Sequence, residues 1–254
     1  MIIAISDTAA RQRSAVLAAD GIIPPSRIEY IGSRPGRGGA GQPQAFTIEM
    51  TPGQEFGAHY HTVDQYQVIL HGEGRIGRRE VSTYSVHYTD RYTGYGPLVA
   101  GESAMHYMTL RAEADPGPQY MGQPGARERM RPSKRRFLLK CDIPTLGAEE
   151  LARLEQPRID TLFPAHDDGV LALAWRLGPS MTALAPDPAQ GGGQFLLVMD
   201  GELLLDEPLG RHSTIFVHPG DESVAMRAGA AGAQVLLMQF PRGGQAETAP
   251  SSPQ

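Results

Sequence analysis

Apolar and polar positions alternate in short runs along this chain. Phe46, Ile48 and Met50 are interleaved with Thr47 and Glu49. In residues 65–71, Tyr66, Val68 and Leu70 share one face while Gln65, Gln67, Ile69 and His71 share the other. In residues 105–111, His106, Met108 and Leu110 fall together, and their apolar company points His106 inward. Period two over such lengths predicts β-strands. Turn signals bound each run: Thr51-Pro52-Gly53 after the first, Gly72-Glu73-Gly74 after the second and TGYGPLVAGES before the third. Helices are expected only around 9–19, ended by Pro24-Pro25, and around 147–154. With 30 Gly and 21 Pro to punctuate the chain, the class is all-β, many short strands joined by turns.

The pattern repeats. Phe46, Gln65 and Gly72-Glu73 recur as Trp175, Gln194 and Gly201-Glu202 at a constant offset of 129, and Gly101 recurs as Gly229 at 128. QYQVILHGE against QFLLVMDGE is the clearest local match, so two copies of one β-unit are expected. Where the first copy has His59, His61 and His106, the second has Pro188, Gln190 and Gln234. The layout is an N-terminal arm and loop over 1–43, a first unit over 44–111, a linker over 112–136, a second unit over 137–245 and a tail over 246–254. Residues 33–43 are too poor in apolar side chains to pack. Within 112–136, Arg127, Arg129, Arg131, Lys134, Arg135 and Arg136 form a basic run without interleaved aromatics, which reads as a solvated linker.

Charge narrows the partners. A net charge of −5 provides no global positive field for nucleic acid or an acidic membrane, so a small-molecule partner is expected. Cys141 is the only cysteine, which excludes an internal disulfide and a zinc–thiolate cluster within one chain. Neither a basic start with an apolar run behind it nor a long apolar segment is present, and the expected setting is cytoplasmic.

The chemistry concentrates in residues 53–72, GQEFGAHYHTVDQYQVILHG. His59 and His61, two apart on a strand, face one side and can converge on one ion. Gln65 stands where a carboxylate would complete the shell, offering a neutral amide oxygen. Gly53, five residues, His59, one residue, His61, three residues, Gln65, six residues and Gly72 reproduce the spacing of the first cupin motif, with Gln in place of Glu. The first half therefore resembles a cupin and the whole chain a bicupin, two tandem jelly-roll barrels with a metal motif only in the first. The second cupin motif matches poorly, because Pro97 and Gly101 precede His106 at longer intervals and Leu110 stands at the final Asn position.

The resemblance implies a divalent metal held by His59, His61, Gln65 and His106. Fe(II) is favoured, with Mn, Ni, Co, Cu or Zn able to occupy such a site. His87 is the rival third ligand or an acid/base group, and Tyr95, with Tyr88 and Tyr92, lines a pocket beside it. His71 is expected at the barrel mouth, and Gln67 inside. His166, His212 and His218 are expected at the surface. The implied activity is a metal-dependent enzyme acting on a small oxygenated or aromatic molecule, foremost an Fe(II) dioxygenase. A metal-dependent isomerase, cyclase or lyase and a non-catalytic binding cupin are the alternatives. Open jelly-roll edges suggest a homodimer.

Overall fold

Residues 2–32 and 42–243 are described by the computed structural model, and the alternating runs become strands within them. The first half supplies β1 (Ile3–Ile5), β2 (Arg27–Ile31), β3 (Gln44–Met50), β4 (Gln65–Ile76), β5 (Val86–Thr89) and β6 (Leu98–Arg111), with helix α1 (Asp7–Ala19) after β1. The second supplies β7 (Phe137–Lys140), β8 (Arg158–Phe163), β9 (Leu171–Leu177), β10 (Gln194–Leu204), β11 (Thr214–Val217) and β12 (Ala225–Gln239), with the short helix α2 (Ala148–Ala152) after β7. The expected loop over 33–43 falls mostly, and the tail over 246–254 wholly, outside the described residues.

Two antiparallel sheets of the same topology result. One runs β7-β5-β4-β6-β3-β2 and the other β1-β11-β10-β12-β9-β8. The orders match position for position, with one exchange: each half sends its first strand into the other half's sheet. Ile3 pairs with Phe216, and Leu139 with His87. The boundary expected at 137 is thereby corrected. Phe137–Lys140 completes the first barrel, and Ile3–Ile5 of the supposed arm completes the second.

Three apolar clusters hold the molecule together. Met50, Ile69, Leu98 and Met105 fill one barrel, and Leu173, Leu196, Ile215 and Leu237 fill the other. Tyr66, Val68, Met108, Leu110, Phe195 and Leu236 belong to a third cluster, in the seam between the barrels. Strands β4 and β6 are thus buried on both faces, one towards their own barrel and one towards its neighbour. Polar groups cross the seam as well, with the Tyr66 hydroxyl 3.1 Å from the carbonyls of Leu171 and Gln239.

The repeat is real, but one correspondence slips. Gln44 pairs with Arg111 as Leu171 pairs with Gln239, which sets Phe46 against Leu173 rather than Trp175. Two extra residues between β9 and β10 restore the expected match at Gln65 and Gln194. Gly72 (φ +78°) and Gly201 (φ +73°) are equivalent in conformation and in constraint. A Cβ on either would lie 2.2 or 2.3 Å from the carbonyl oxygen of Ala104 or Gly232, so only glycine fits.

Arg127, Arg129, Arg131, Lys134 and Arg135 are exposed, as a solvated run should be, but residues 112–136 are more than a linker. Their apolar members dock on the mouth of the first barrel: Gln119–Tyr120 pairs with His59–Tyr60, Met121 N–H donates to the Ala58 carbonyl at 2.8 Å, and the Tyr60 hydroxyl donates to the Ala126 carbonyl at 3.0 Å. The end of the basic run joins the barrels, because Arg136 reaches Asp90 and Asp168, both at 2.7 Å. No helix among the described residues is long and apolar enough to cross a membrane.

Candidate metal centre

The first barrel encloses a polar group that its architecture would otherwise fill with hydrocarbon. Strand β4 turns Gln65, Gln67 and Ile69 inward, β5 contributes His87 and Thr89, and β6 contributes Tyr107, Thr109 and Arg111. His59 and His61 enter from the segment before β4. His59 is fixed by a reciprocal backbone bridge to Tyr95, with both N–H···O contacts at 3.0 Å. Asp115 enters from the mouth segment and is 1% exposed.

Three imidazoles are held by the same device. His59 Nδ1–H donates to the Gly57 carbonyl at 2.7 Å, His61 Nδ1–H to Asp115 Oδ2 at 2.8 Å, and His87 Nδ1–H to Gln67 Oε1 at 3.0 Å. Each bond fixes a tautomer with its lone pair on Nε2, the arrangement in which a carboxylate or carbonyl orients a metal-ligating histidine. His87 Nε2 is buried and has no hydrogen-bond partner among the described residues. All three rings are kept neutral. Burial, followed by the charge of Arg111, holds His61 at about 4; burial, followed by His59, holds His87 at about 3; and burial lowers His59.

Two groups share the space with them. Tyr95 stands against His59 and His87, with ring centroids 4.6 and 5.1 Å away. Its hydroxyl donates to His59 Nε2 at 2.9 Å and accepts from Gln65 Nε2 at 2.5 Å. Burial raises its pKa above the usual phenol range. Arg111 donates to Gln65 Oε1 from Nε at 3.2 Å and Nη2 at 3.0 Å, and lies 3.3 Å from Asp115. Its Nη2 is 3.2 Å from His61 Nε2. The same Nη2 is 3.1 Å from His61 Nδ1, so the guanidinium lies across the imidazole ring and not along the Nε2 lone pair. Burial alone would raise the Asp115 pKa, but the bond from His61 and the charge of Arg111 more than offset it, and the carboxylate stays ionised.

The donor chemistry fits a divalent transition ion: neutral imidazoles with fixed tautomers, one carrying an orphaned buried nitrogen. Among the described residues no three His, Cys, Asp or Glu side chains converge on one point. The Tyr95 ring packs against both His59 and His87, and Arg111 lies across the His61 ring.

The expected ligands are therefore brought together only in part. His59, His61 and His87 share the interior with Tyr95. Gln65 is present, but its amide oxygen is turned to Arg111. His106 is corrected outright: it is 30% exposed, 3.9 Å from Glu49 and 5.2 Å ring to ring from His71, on the seam side of β6. Its apolar neighbours mark a buried face, but that face looks to the second barrel. His212 is half-buried rather than a surface residue, and its Nε2 has no hydrogen-bond partner among the described residues. Arg111, Asp115, Tyr120 and Gln44, whose Oε1 accepts from Asp115 N–H at 3.1 Å, were not legible as site residues. Parity with Tyr107 and Thr109 was the one available signal for Arg111; Asp115, in a Pro/Gly-rich stretch, gave none.

No family model matches the sequence, and no curated protein matches it. Solved structures do. The chain is similar to salicylate 1,2-dioxygenase from Pseudaminobacter salicylatoxidans (TM-score 0.57, 10% identity, 94% of this chain and 84% of that one). It is also similar to the pirin YhhW of Escherichia coli in complex with nickel(II) (0.56, 10%, 96% and 100%) and to an 11S globulin from Wrightia tinctoria (0.57, 9%, 85% and 79%). The chain has the bicupin fold. An enzyme, a metal-bound protein and a globulin on one scaffold show that this likeness carries architecture alone.

Within the bicupin, the second barrel serves as an internal control. Its register places Leu196, Ile215, Val235 and Leu237 where the first has Gln67, His87, Tyr107 and Thr109. The backbone contact corresponding to His59–Tyr95 joins Ala185 to Val224, rather than involving Pro188. Gln65–Arg111 becomes Gln194–Gln239, bonded at 2.8 Å. An interior of aliphatic side chains closes this barrel well, so the buried polar set of the first is not required by the fold, and burying it is costly.

Proposed function

We propose that the first barrel is a metal-dependent enzyme site acting on a small oxygenated or aromatic molecule, with Fe(II) dioxygenation as the leading chemistry. The observation that carries this reading is the shared device of the three buried histidines, each donating Nδ1–H to its own acceptor and keeping Nε2 free of a proton. His59, His61 and His87 would hold the ion. A bound ferrous ion supplies the one-electron chemistry that lets O2 react with a closed-shell organic molecule. The chain's own residues do the rest. Arg111 places a fixed positive charge where an anionic oxygen of the substrate would lie, and Asp115 keeps His61 oriented. The segment over 112–136, with Tyr120 beside His59 at 5.5 Å between ring centroids, closes the mouth and excludes water. The similarity to a salicylate dioxygenase is compatible with a substrate of this kind.

The test is elemental analysis of purified protein followed by oxygen-electrode assays on the iron-loaded form with catecholic, hydroxybenzoic and enolisable compounds. The reading expects close to one metal per chain, lost in His59→Ala and His61→Ala, and oxygen uptake with at least one compound. Turnover under strict anaerobiosis would move the reaction to the isomerase, cyclase or lyase class. A second reading is favoured by one observation, the Arg111 guanidinium lying against the His61 ring: a non-catalytic, metal-free binding barrel. Absence of metal from wild type, together with unaltered ligand binding in the histidine variants, would establish it.

A further inference from the structure

Resting on the reading of the first barrel as a small-molecule site, with or without a metal, we infer that Arg27 and Tyr107 form an anchoring corner over Phe46 for a monocarboxylate ligand. The strand register builds the corner. Arg27 on β2 lies opposite Ile48 on β3, and Ile48 lies opposite Tyr107 on β6, so one row of the inner face carries both long side chains. The Arg27 guanidinium sits over the Phe46 ring, 3.6 Å from its centroid. Its Nε donates to Glu29 Oε1 at 2.6 Å, which fixes the group and leaves both Nη atoms without a hydrogen-bond partner among the described residues. The Tyr107 hydroxyl has no such partner either, although the residue is only 7% exposed. Burial raises the pKa of that phenol above its usual range, so it stays protonated. Arg111, 5.4 Å from the same Phe46 centroid, joins this corner to the histidine end of the chamber.

The groups left over at this corner are donors. The two Nη atoms of a guanidinium match the two oxygens of a planar carboxylate, and a phenol O–H can add a third bond. The Phe46 ring offers an apolar floor for the carbon skeleton that carries the carboxylate. Glu29 restricts the class further, because its carboxylate beside Arg27 repels a phosphate dianion more than a single negative charge. The second barrel shows that the fold does not require the corner. In the equivalent places it has Ile159, Leu173 and Val235, all hydrocarbon, and Ile159 is 47% exposed, whereas the Arg27 side chain is 13% exposed. A half-buried cation and a buried, unpartnered hydroxyl are costly to keep without a ligand to satisfy them.

The experiment is titration calorimetry of the purified full chain with benzoate and butyrate, with their neutral amides benzamide and butyramide, and with inorganic phosphate. Wild type is compared with Arg27→Gln, Tyr107→Phe and, as a surface control, Arg135→Gln, each checked for folding by circular dichroism. At least one carboxylate is expected to bind at one site per chain, about tenfold or more tighter than its amide. Arg27→Gln is expected to lose about tenfold and Tyr107→Phe about fivefold, the scale of one charged and one neutral hydrogen bond, and Arg135→Gln nothing. Tyr107→Phe, which keeps the ring, decides the matter if Arg27→Gln does not fold. No carboxylate bound, an amide or phosphate bound as tightly as the carboxylate, or either folded variant at wild-type affinity overturns the corner. Metal content of the same preparations judges the metal reading separately: a carboxylate bound by metal-free wild type overturns that reading and leaves the corner standing, and one metal per chain without carboxylate binding does the reverse.

Discussion

Asp115→Asn tests the electrostatics of the chamber with almost no change of shape. Asp115 holds His61 at 2.8 Å and Arg111 at 3.3 Å, and its other oxygen lies 3.2 Å from Thr62 N–H, all in a buried setting. An asparagine can keep one or two of these bonds but leaves Arg111 as an uncompensated buried charge. Breaking a buried pair from one side costs about 3–5 kcal/mol. The same charge can be removed instead, since the second barrel shows that Gln239 fits the position of Arg111 against Gln194. Arg111→Gln with Asp115→Asn should therefore regain on the order of 2 kcal/mol relative to Asp115→Asn alone, a coupling typical of residues in contact. Urea unfolding followed by tryptophan fluorescence and far-UV circular dichroism, with the denaturant slope unchanged across the set, provides the numbers. A cost below about 1 kcal/mol for Asp115→Asn, or a double variant no more stable than the single one, would refute the charge-pair description.

Arg111→Gln should by itself raise affinity for Ni(II) or Zn(II) about tenfold or more, because it uncovers the His61 ring and removes a like charge; isothermal titration calorimetry reads this directly. His106→Ala should leave metal stoichiometry unchanged while His87→Ala lowers it, the reverse of what the second-motif spacing suggests, as elemental analysis of the two variants would show. Gly72→Ala should destabilise by roughly 2 kcal/mol or more, since a left-handed backbone and a clash with the Ala104 carbonyl combine, and thermal melts would reveal the loss. His212 has its pKa lowered to about 4 by burial and then by Arg211, so the unfolded chain binds the extra proton. Its contribution is full above pH 6.5 and is lost as pH falls towards 4; His212→Asn, which tolerates the φ of +63°, should flatten the acid limb of the stability profile by about one proton.

Much of the architecture was legible because strands with one buried face write their period into the sequence. Alternation located β3, β4 and β6, and the Gly72 and Gly201 turns marked the duplication. What misled was double burial: on β6 the face carrying His106, Met108 and Leu110 is apolar because it packs on another barrel, and parity cannot say which of two buried faces is the interior. The swapped strands β1 and β7 were invisible for a related reason, since a three- or four-residue edge strand carries no mark of which sheet it joins. The motif located His59, His61 and Gln65, whereas Asp115 reaches the chamber through a segment whose prolines and glycines read as a linker. Docking there depends on Tyr120, Met121 and Ala126, too few apolar residues to raise a periodic signal.

The most direct test is an anomalous-scattering experiment on crystals of Ni(II)- or Fe(II)-loaded protein. One peak per chain is expected in the first barrel, at roughly 2.0–2.2 Å from Nε2 of His59, His61 and His87, with none in the second barrel. A loaded crystal with no peak there, or with its peak at His71 and His106 instead, would contradict the assignment of the first barrel as a metal centre.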